Sequence, residues 1–397
     1  MPSTVCSRLH GLFIARKTTA TLPKSPKPAT ATATATEAAA TAPSPPQSDP
    51  SESPSEDRKL RALVKKFKKD CDSSRFRRPS GHGAYQFIVR RLSAAQKFSY
   101  IEDILEHQKQ YKDITNEGFA IRLISLYGKA GMFDHARKLF DELPQLNCER
   151  TVRSFNALLS ACVKAKKFDK VRELLSEVPE KLSIQLDRVS YNTVIKSFCE
   201  LSAFDSALSV IDEMEKNELE PDVITFNILL GAFHRNNKFA DADKLWTLME
   251  DKKIVPNVRT YNPKLRALVA ANRISEAVEL IEEMRSKGSN PDVFSYNAVI
   301  KGFVDSQNLE EAKRWYKEMA KDGCELDIAT VSMLGYFVCK MGDFDFALEL
   351  CKEAISGGCI PYKTMMQLVV HGLIKESKIE DAKELVELGK LQISMEK

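Results

Sequence analysis

The sequence lacks the clusters that metal binding or catalysis would need. Its six histidines, His10, His82, His107, His135, His234 and His371, are scattered over 397 residues. Its nine cysteines (Cys6, Cys71, Cys148, Cys162, Cys199, Cys324, Cys339, Cys351 and Cys359) form no C-x-x-C and have no histidine at ligand spacing. A structural metal and the H-x-E with C-x-x-C signature of zinc deaminases are therefore not expected, and the cysteines read as reduced, mostly buried small hydrophobes. No apolar run reaches the roughly 18 residues that a membrane span requires, so no membrane is expected as a partner. Acids pair only in motifs such as Glu282-Glu283 and Glu310-Glu311, which on a helix surface are solvated. The expectation is a protein with no cofactor, no metal and no enzymatic activity.

Acid is also missing from the beginning of the chain. Residues 1–36 carry Arg8, Arg16, Lys17, Lys24 and Lys27 and no Asp or Glu. Residues 1–57 are rich in Ala, Ser, Thr and Pro, a composition that cannot bury a core and is expected to be disordered. Within it, Leu9, Leu12 and Phe13 would face away from Arg8, Arg16 and Lys17 on a short helix, so the segment reads as an organelle transit peptide. The early amphipathic stretch favours the mitochondrion, with the chloroplast as the alternative. The net charge of +4 is uneven: residues 58–78 hold ten basic residues against Asp70 and Asp72, whereas residues 79–397 sum to −4. A slightly acidic body cannot hold nucleic acid by bulk attraction; it needs local basic patches or contacts to bases.

What is present is a repeat. Phe98, Phe133, Phe168, Phe204, Phe239, Ile274, Leu309, Phe344 and Ile379 follow one another at steps of 35 residues, with one step of 36. Three residues beyond lies Ala136, Ala207, Ala242, Ala277, Ala312, Ala347 or Ala382, with Ile101 and Val171 as exceptions. This divides residues 82–397 into nine units. Apolar residues follow helical spacing twice per unit, as in Phe226, Leu229, Leu230, Phe233 and then Phe239, Ala242, Leu245, Trp246, Met249. Each unit is thus a helical hairpin, and the recurrent alanine lets its helices approach closely. One hairpin cannot cover its own apolar faces, so neighbours must stack. The fold class is all-α: a right-handed α-solenoid of nine hairpins over 82–397, preceded by a basic capping helix over 58–81 and the segment 1–57.

Residues 222–227 (Asp-Val-Ile-Thr-Phe-Asn), 292–297 (Asp-Val-Phe-Ser-Tyr-Asn) and 188–192 (Arg-Val-Ser-Tyr-Asn), each followed by an Ala-containing second helix, resemble P-type pentatricopeptide repeats. The stretch 118–200 is similar to plant mitochondrial members associated with the small subunit of the mitochondrial ribosome. The resemblance implies one RNA base per unit, read by the fifth residue together with the last. The pairs are Asn156 with Asp187, Asn192 with Asp222, Asn227 with Asn257, Asn262 with Asp292, and Asn297 with Asp327. The family pattern gives uridine to Asn/Asp and cytidine to Asn/Asn, hence U-U-C-U-U from 5′ to 3′. Arg153, Val189, Ile224, Arg259 and Phe294, at the second position of each unit, would sandwich the bases. A competing use for these asparagines is to cap the first helices. The pairs Gln86/Asn116, Ile121/Thr151, Ser332/Tyr362 and Gln367/Lys397 depart from the pattern, and Pro263 is expected to disturb the first turn of its helix.

Stacking contributes roughly 1 to 3 kcal/mol per base against an association cost on the order of 4 to 15 kcal/mol. Five bases are therefore marginal, and a five-nucleotide word recurs by chance about once per thousand nucleotides. Either a larger assembly or the basic segment must add contacts. In that segment Leu60, Leu63, Val64 and Phe67 give one apolar side, and Lys65, Lys66, Lys68, Lys69, Arg75, Arg77 and Arg78 are candidate phosphate contacts. Some family members append a nuclease or deaminase domain after their repeats; the ninth unit here reaches the last residue, and none is expected. Three functions fit: a subunit of the mitochondrial small ribosomal subunit touching ribosomal RNA and ribosomal proteins; a free factor binding one pyrimidine-rich single-stranded transcript; or a protein-interaction scaffold that touches no RNA.

Overall fold

The computed structural model describes residues 54–395. The expected transit peptide lies almost entirely outside them. Among the described residues there are helices and no strands, and they divide into two units, residues 54–220 and 221–395, each containing a stack of helical hairpins.

In the first unit the hairpins are His82–Ala94 with Phe98–Glu106, Glu117–Lys129 with Phe133–Glu142, Val152–Lys164 with Phe168–Leu182, and Arg188–Glu200 with Phe204–Lys216. In the second they are Val223–Arg235 with Phe239–Asp251, Val258–Ala270 with Ile274–Ser286, Val293–Asp305 with Leu309–Lys321, Ile328–Met341 with Phe344–Ser356, and Lys363–Lys375 with Ile379–Met395. The repeating Phe, Ile or Leu that marks the period is the first residue of the second helix in every hairpin. The small residue three positions later is buried in each: all seven alanines, Ile101 and Val171 lie in the core.

Both kinds of turn are built alike. Within a hairpin the residue two before the second helix is left-handed: Gln96, Gly131, Lys166, Ser202, Asn237, Asn272, Gln307, Gly342 and Ser377. The residue after it donates its N–H back to the first helix, as Lys238 does to the Phe233 carbonyl at 3.0 Å, closing a Schellman turn. Between hairpins a second left-handed residue recurs, from Asn147 through Ser183, Glu218, Lys253, Gly288 and Gly323 to Gly358. Most of these positions are not glycine, so a strained backbone is held by stacking on either side and not by residue choice.

First helices pack against first helices along each unit, Glu117–Lys129 on Val152–Lys164 in the first and Val258–Ala270 between its two neighbours in the second. At Gly128 backbone meets backbone: a Cβ there would stand 2.5 Å from the Ala161 Cα. Pro263 does not break its helix, which runs unbroken over Val258–Ala270. The carbonyl left without its helical N–H belongs to Arg259, an exposed residue.

The basic segment differs from expectation in its bounds. Its helix runs Pro54–Cys71, followed by the short Ser74–Arg77 helix and a single turn at Pro79–Gly81. Leu60, Val64, Phe67 and Cys71 are buried against the first hairpin, where Phe67 meets Tyr85 edge-on at 4.9 Å.

Two substitutions test this packing. Gly128→Ala should destabilise the protein by about 1 to 3 kcal/mol through overpacking against Ala161, outweighing the roughly 0.5 to 1 kcal/mol that alanine gains over glycine in a helix. Denaturant unfolding decides the sign. His234 is 1% exposed and neither ring nitrogen has a hydrogen-bond partner. Burial first, and then Lys264, push its pKa down to about 4. An unfolded histidine takes up a proton near pH 6.5, so stability should fall as pH drops from 6.5 towards 4. His234→Val should reduce that loss, read as a smaller Tm difference between pH 7 and pH 5.

Candidate nucleic-acid interface

The interface is organised by the last residue of each hairpin. Asp187, Asp222, Asn257, Asp292 and Asp327 are the N-caps of the next first helix, each accepting backbone N–H groups through its side chain. At the first four the cap is reciprocal: Ser190, Thr225, Thr260 or Ser295 bonds back to the cap's own N–H. The capping role weighed for the fifth-position asparagines thus belongs to their partners.

The fifth-position asparagine then docks on the cap. Asn156 donates from Nδ2 to Asp187 Oδ1 at 2.8 Å, Asn262 to Asp292 at 3.1 Å, and Asn297 to Asp327 at 3.3 Å. Its carbonyl end is taken by the third residue of the next hairpin: Ser190 Oγ donates to Asn156 Oδ1 at 2.6 Å, Ser295 to Asn262 at 2.6 Å, and Thr330 to Asn297 at 2.7 Å. A carboxylate accepts only, so it fixes which end of the amide faces it. Each of these asparagines keeps one further N–H to offer outward.

The Asn/Asn hairpin is different. Asn227 Nδ2 reaches Asn257 Oδ1 at 3.4 Å, and Asn227 Oδ1 is buried with no hydrogen-bond partner. This hairpin therefore leaves its buried amide oxygen unpaired where its neighbours have it held by a hydroxyl. Asn192, 7% exposed, lies on the last of the first helices in the first unit, and Asp222 caps the first helix of the second. At Asp327 burial pushes the carboxyl up, but bonds from Thr330 and Asn297 outweigh it and hold the group below its ordinary range, so it is ionised at neutral pH.

The second-position residues all face solvent: Val189, Ile224 and Phe294 are more than half exposed, and Arg153 and Arg259 are exposed too. These are apolar or planar surfaces left in water, one per hairpin. The departing hairpins are wired otherwise. At the Ile121/Thr151 hairpin, Glu117 takes the amide's place, accepting from Thr151 Oγ1 at 2.7 Å and from the Ser154 N–H at 3.2 Å. Asn116 caps the Glu117–Lys129 helix, and Tyr362 is exposed.

The basic segment splits. Lys65, Lys66, Lys69 and Arg78 are exposed. Lys68 is ion-paired with Asp103 at 2.5 Å, and Arg77 with Asp113 at 2.7 Å, its guanidinium lying 4.1 Å over the Tyr111 ring. These two therefore fasten the segment to the first hairpin. The side chain of Arg75 is outside the described residues.

A second basic feature is visible only in the fold. Lys129, Lys164 and Lys196 project from three successive first helices of the first unit, exposed, and among the described residues none has an ion pair. They are close enough to feel one another: partial burial of the Lys164 side chain, then Lys129 and Lys196, lower its pKa. In sequence they are single lysines on polar helix faces, and stacking aligns them.

Pentatricopeptide family models match from residue 122 to 335: a PPR repeat at 122–148, a pentatricopeptide repeat domain at 138–200, and the PPR repeat family in four overlapping stretches over 186–335. The small ribosomal subunit protein mS78 (rPPR3a) of Arabidopsis thaliana is 54% identical over 159 residues, 40% of this chain and 39% of that protein. The small ribosomal subunit protein mS79 (rPPR3b) of the same plant is 48% identical over 161 residues, 41% and 40% of the two chains. A mitochondrial pentatricopeptide repeat-containing protein, also from Arabidopsis thaliana, is 42% identical over 134 residues, 34% of each. The matched region thus spans about two fifths or less of these relatives' length. The crystal structure of pentatricopeptide repeat protein PPR10 from maize is similar over 79% of this chain and 55% of that one, at 18% identity and a TM-score of 0.45. With its 35-residue hairpins, its capped asparagines and these matches over residues 122–335, the chain belongs to the pentatricopeptide-repeat family.

Proposed function

We propose that this protein is an RNA-binding component of the mitochondrial small ribosomal subunit, contacting ribosomal RNA and ribosomal proteins and acting by binding, with any chemistry supplied by partners. The observation that carries RNA binding is the amide lock, in which Asn156, Asn262 and Asn297 each sit between a cap carboxylate and a hydroxyl. A side chain pinned at both ends is pre-organised for a base edge and loses little entropy on binding. Its outward N–H suits a uridine carbonyl oxygen, and Asn227, whose cap Asn257 is an amide able to donate as well as accept, can turn its oxygen outward to the amino group of cytidine. Val189, Ile224 and Phe294, with Arg153 and Arg259, supply the stacking surfaces. Lys129, Lys164 and Lys196, together with Lys65, Lys66, Lys69 and Arg78, supply phosphate contacts.

The ribosomal assignment draws on the likeness to mS78 and mS79, and the mitochondrial one on the relative whose name carries that compartment. Five readable bases with non-standard hairpins on either side favour a place within an assembly over search for a single transcript.

On a sucrose gradient of mitochondrial extract, the protein should migrate with the small subunit and stay with it after magnesium depletion splits the ribosome. A light, RNase-sensitive particle would instead establish a free transcript-binding factor. Base readout is tested separately by fluorescence anisotropy. Asn192→Ala with Asn297→Ala should abolish binding to a short RNA containing U-U-C-U-U; unchanged affinity would remove the readout. Asp292→Asn keeps a good cap and should shift preference towards U-U-C-C-U by roughly tenfold, the scale of one hydrogen bond.

A further inference from the structure

The first hairpin has no reading pair, yet it borders a cleft of about 460 Å³ between the helices His82–Ala94 and Glu117–Lys129. Its lining includes Gly83, Gln86, Phe87, Arg90, Leu126 and Lys129. Phe87 is 53% exposed, an aromatic ring left in water at the cleft surface. Arg90 and Lys129 are exposed, and among the described residues neither has an acidic partner.

Gly83 occupies the position that carries Arg153 and Val189 in the third and fourth hairpins, and a Cβ built on it meets nothing within 4 Å. The missing side chain is part of what opens the cleft. The local field is positive: after burial itself, Lys129 and Arg122 are what disfavour the charged form of His82 at the start of the same helix. Asn116, the nominal partner of Gln86, caps the next first helix as the reading residues do, accepting the Phe119 N–H at 3.2 Å, but among the described residues no hydrogen bond joins it to Gln86. Base readout by an amide and its cap is therefore not built here, whereas stacking and charge are.

We propose that this cleft holds one nucleotide of single-stranded RNA, its base stacked on Phe87 and its phosphate held by Arg90 and Lys129, with little preference for base identity. An anionic, flat ligand matches a cationic cleft with an exposed ring. The proposal rests on the RNA-binding reading and extends it: the cleft lies two hairpins before Asn156, so it takes nucleotides on the 5′ side of the U-U-C-U-U word.

The test uses the full chain and fluorescein-labelled RNAs carrying U-U-C-U-U with four added nucleotides at either the 5′ or the 3′ end. Phe87→Ala should weaken binding of the 5′-extended RNA roughly tenfold, within the range for losing one stacked base, and leave the 3′-extended RNA unchanged. Arg90→Gln should reduce the slope of log affinity against log salt by about 0.7, one phosphate contact on a single strand. Both side chains are exposed, so thermal melts of the variants should match the parent and separate binding from folding. Equal affinity of Phe87→Ala and the parent chain for the 5′-extended RNA would overturn the proposal while leaving the amide readout intact. Unchanged RNA affinity with lost ribosome incorporation would overturn it too and assign the cleft to a protein. No RNA binding by the parent chain would remove it together with the reading it rests on.

Discussion

The structure depends on one shared carboxylate. Asp187 or Asp292 ends one hairpin, caps the first helix of the next and holds the asparagine of its own hairpin, all through Oδ1. The cap is worth about 1 kcal/mol to the helix it starts, and the same atom fixes which way the amide points. Helix capping and amide orientation therefore cannot be tuned separately at this position, except by a residue that does both. Asparagine is such a residue: at Asn257 the cap survives, while the pairing with Asn227 lengthens to 3.4 Å and the buried Asn227 Oδ1 is left unpaired.

A cap placed this way works only if successive hairpins stand at a fixed spacing. That spacing is set by small residues and left-handed turns. The buried alanines of the second helices and the contact of Gly128 with Ala161 let backbones approach to a distance that a larger side chain would forbid. The turns repeat the same backbone shape with Lys166, Ser202 or Gln307 at a position where glycine would be cheapest. Contacts on both sides of each turn offset that strain, as expected of an array whose stability resides in interfaces between neighbours.

The fold was legible because hydrophobic periodicity and a constant period each state the same thing. The marker residues from Phe98 to Ile379 fell on the first turn of the second helices, and the nine unit starts fell on the first helices. Cap chemistry was harder to read. Asparagine in a helix-entry motif suggested the cap, and the acid one residue before the next hairpin proved to be it, because only the residue with extended backbone geometry can bend its side chain back to the N3 amide. Pro263 misled because it removes a single helical bond, the one to the carbonyl of the exposed Arg259, and the helix continues on either side.

Sequence alone determined the helical hairpins, their number in residues 82–397 and the buried face of each, since all of these are local or strictly periodic; the pairing of fifth and last residues came from the resemblance to a known repeat. Tertiary structure decided what only neighbours can decide. It turned Lys68 and Arg77 inward onto Asp103 and Asp113, because those acids come from hairpin elements some 35 residues away in sequence. It aligned Lys129, Lys164 and Lys196, and it opened a cleft beside Phe87, because the gap above a glycine exists only once the adjacent helix is in place. Periodicity fixes which side of a helix faces its neighbour; which charges then meet, and which are left unpaired, follows from the stacking itself.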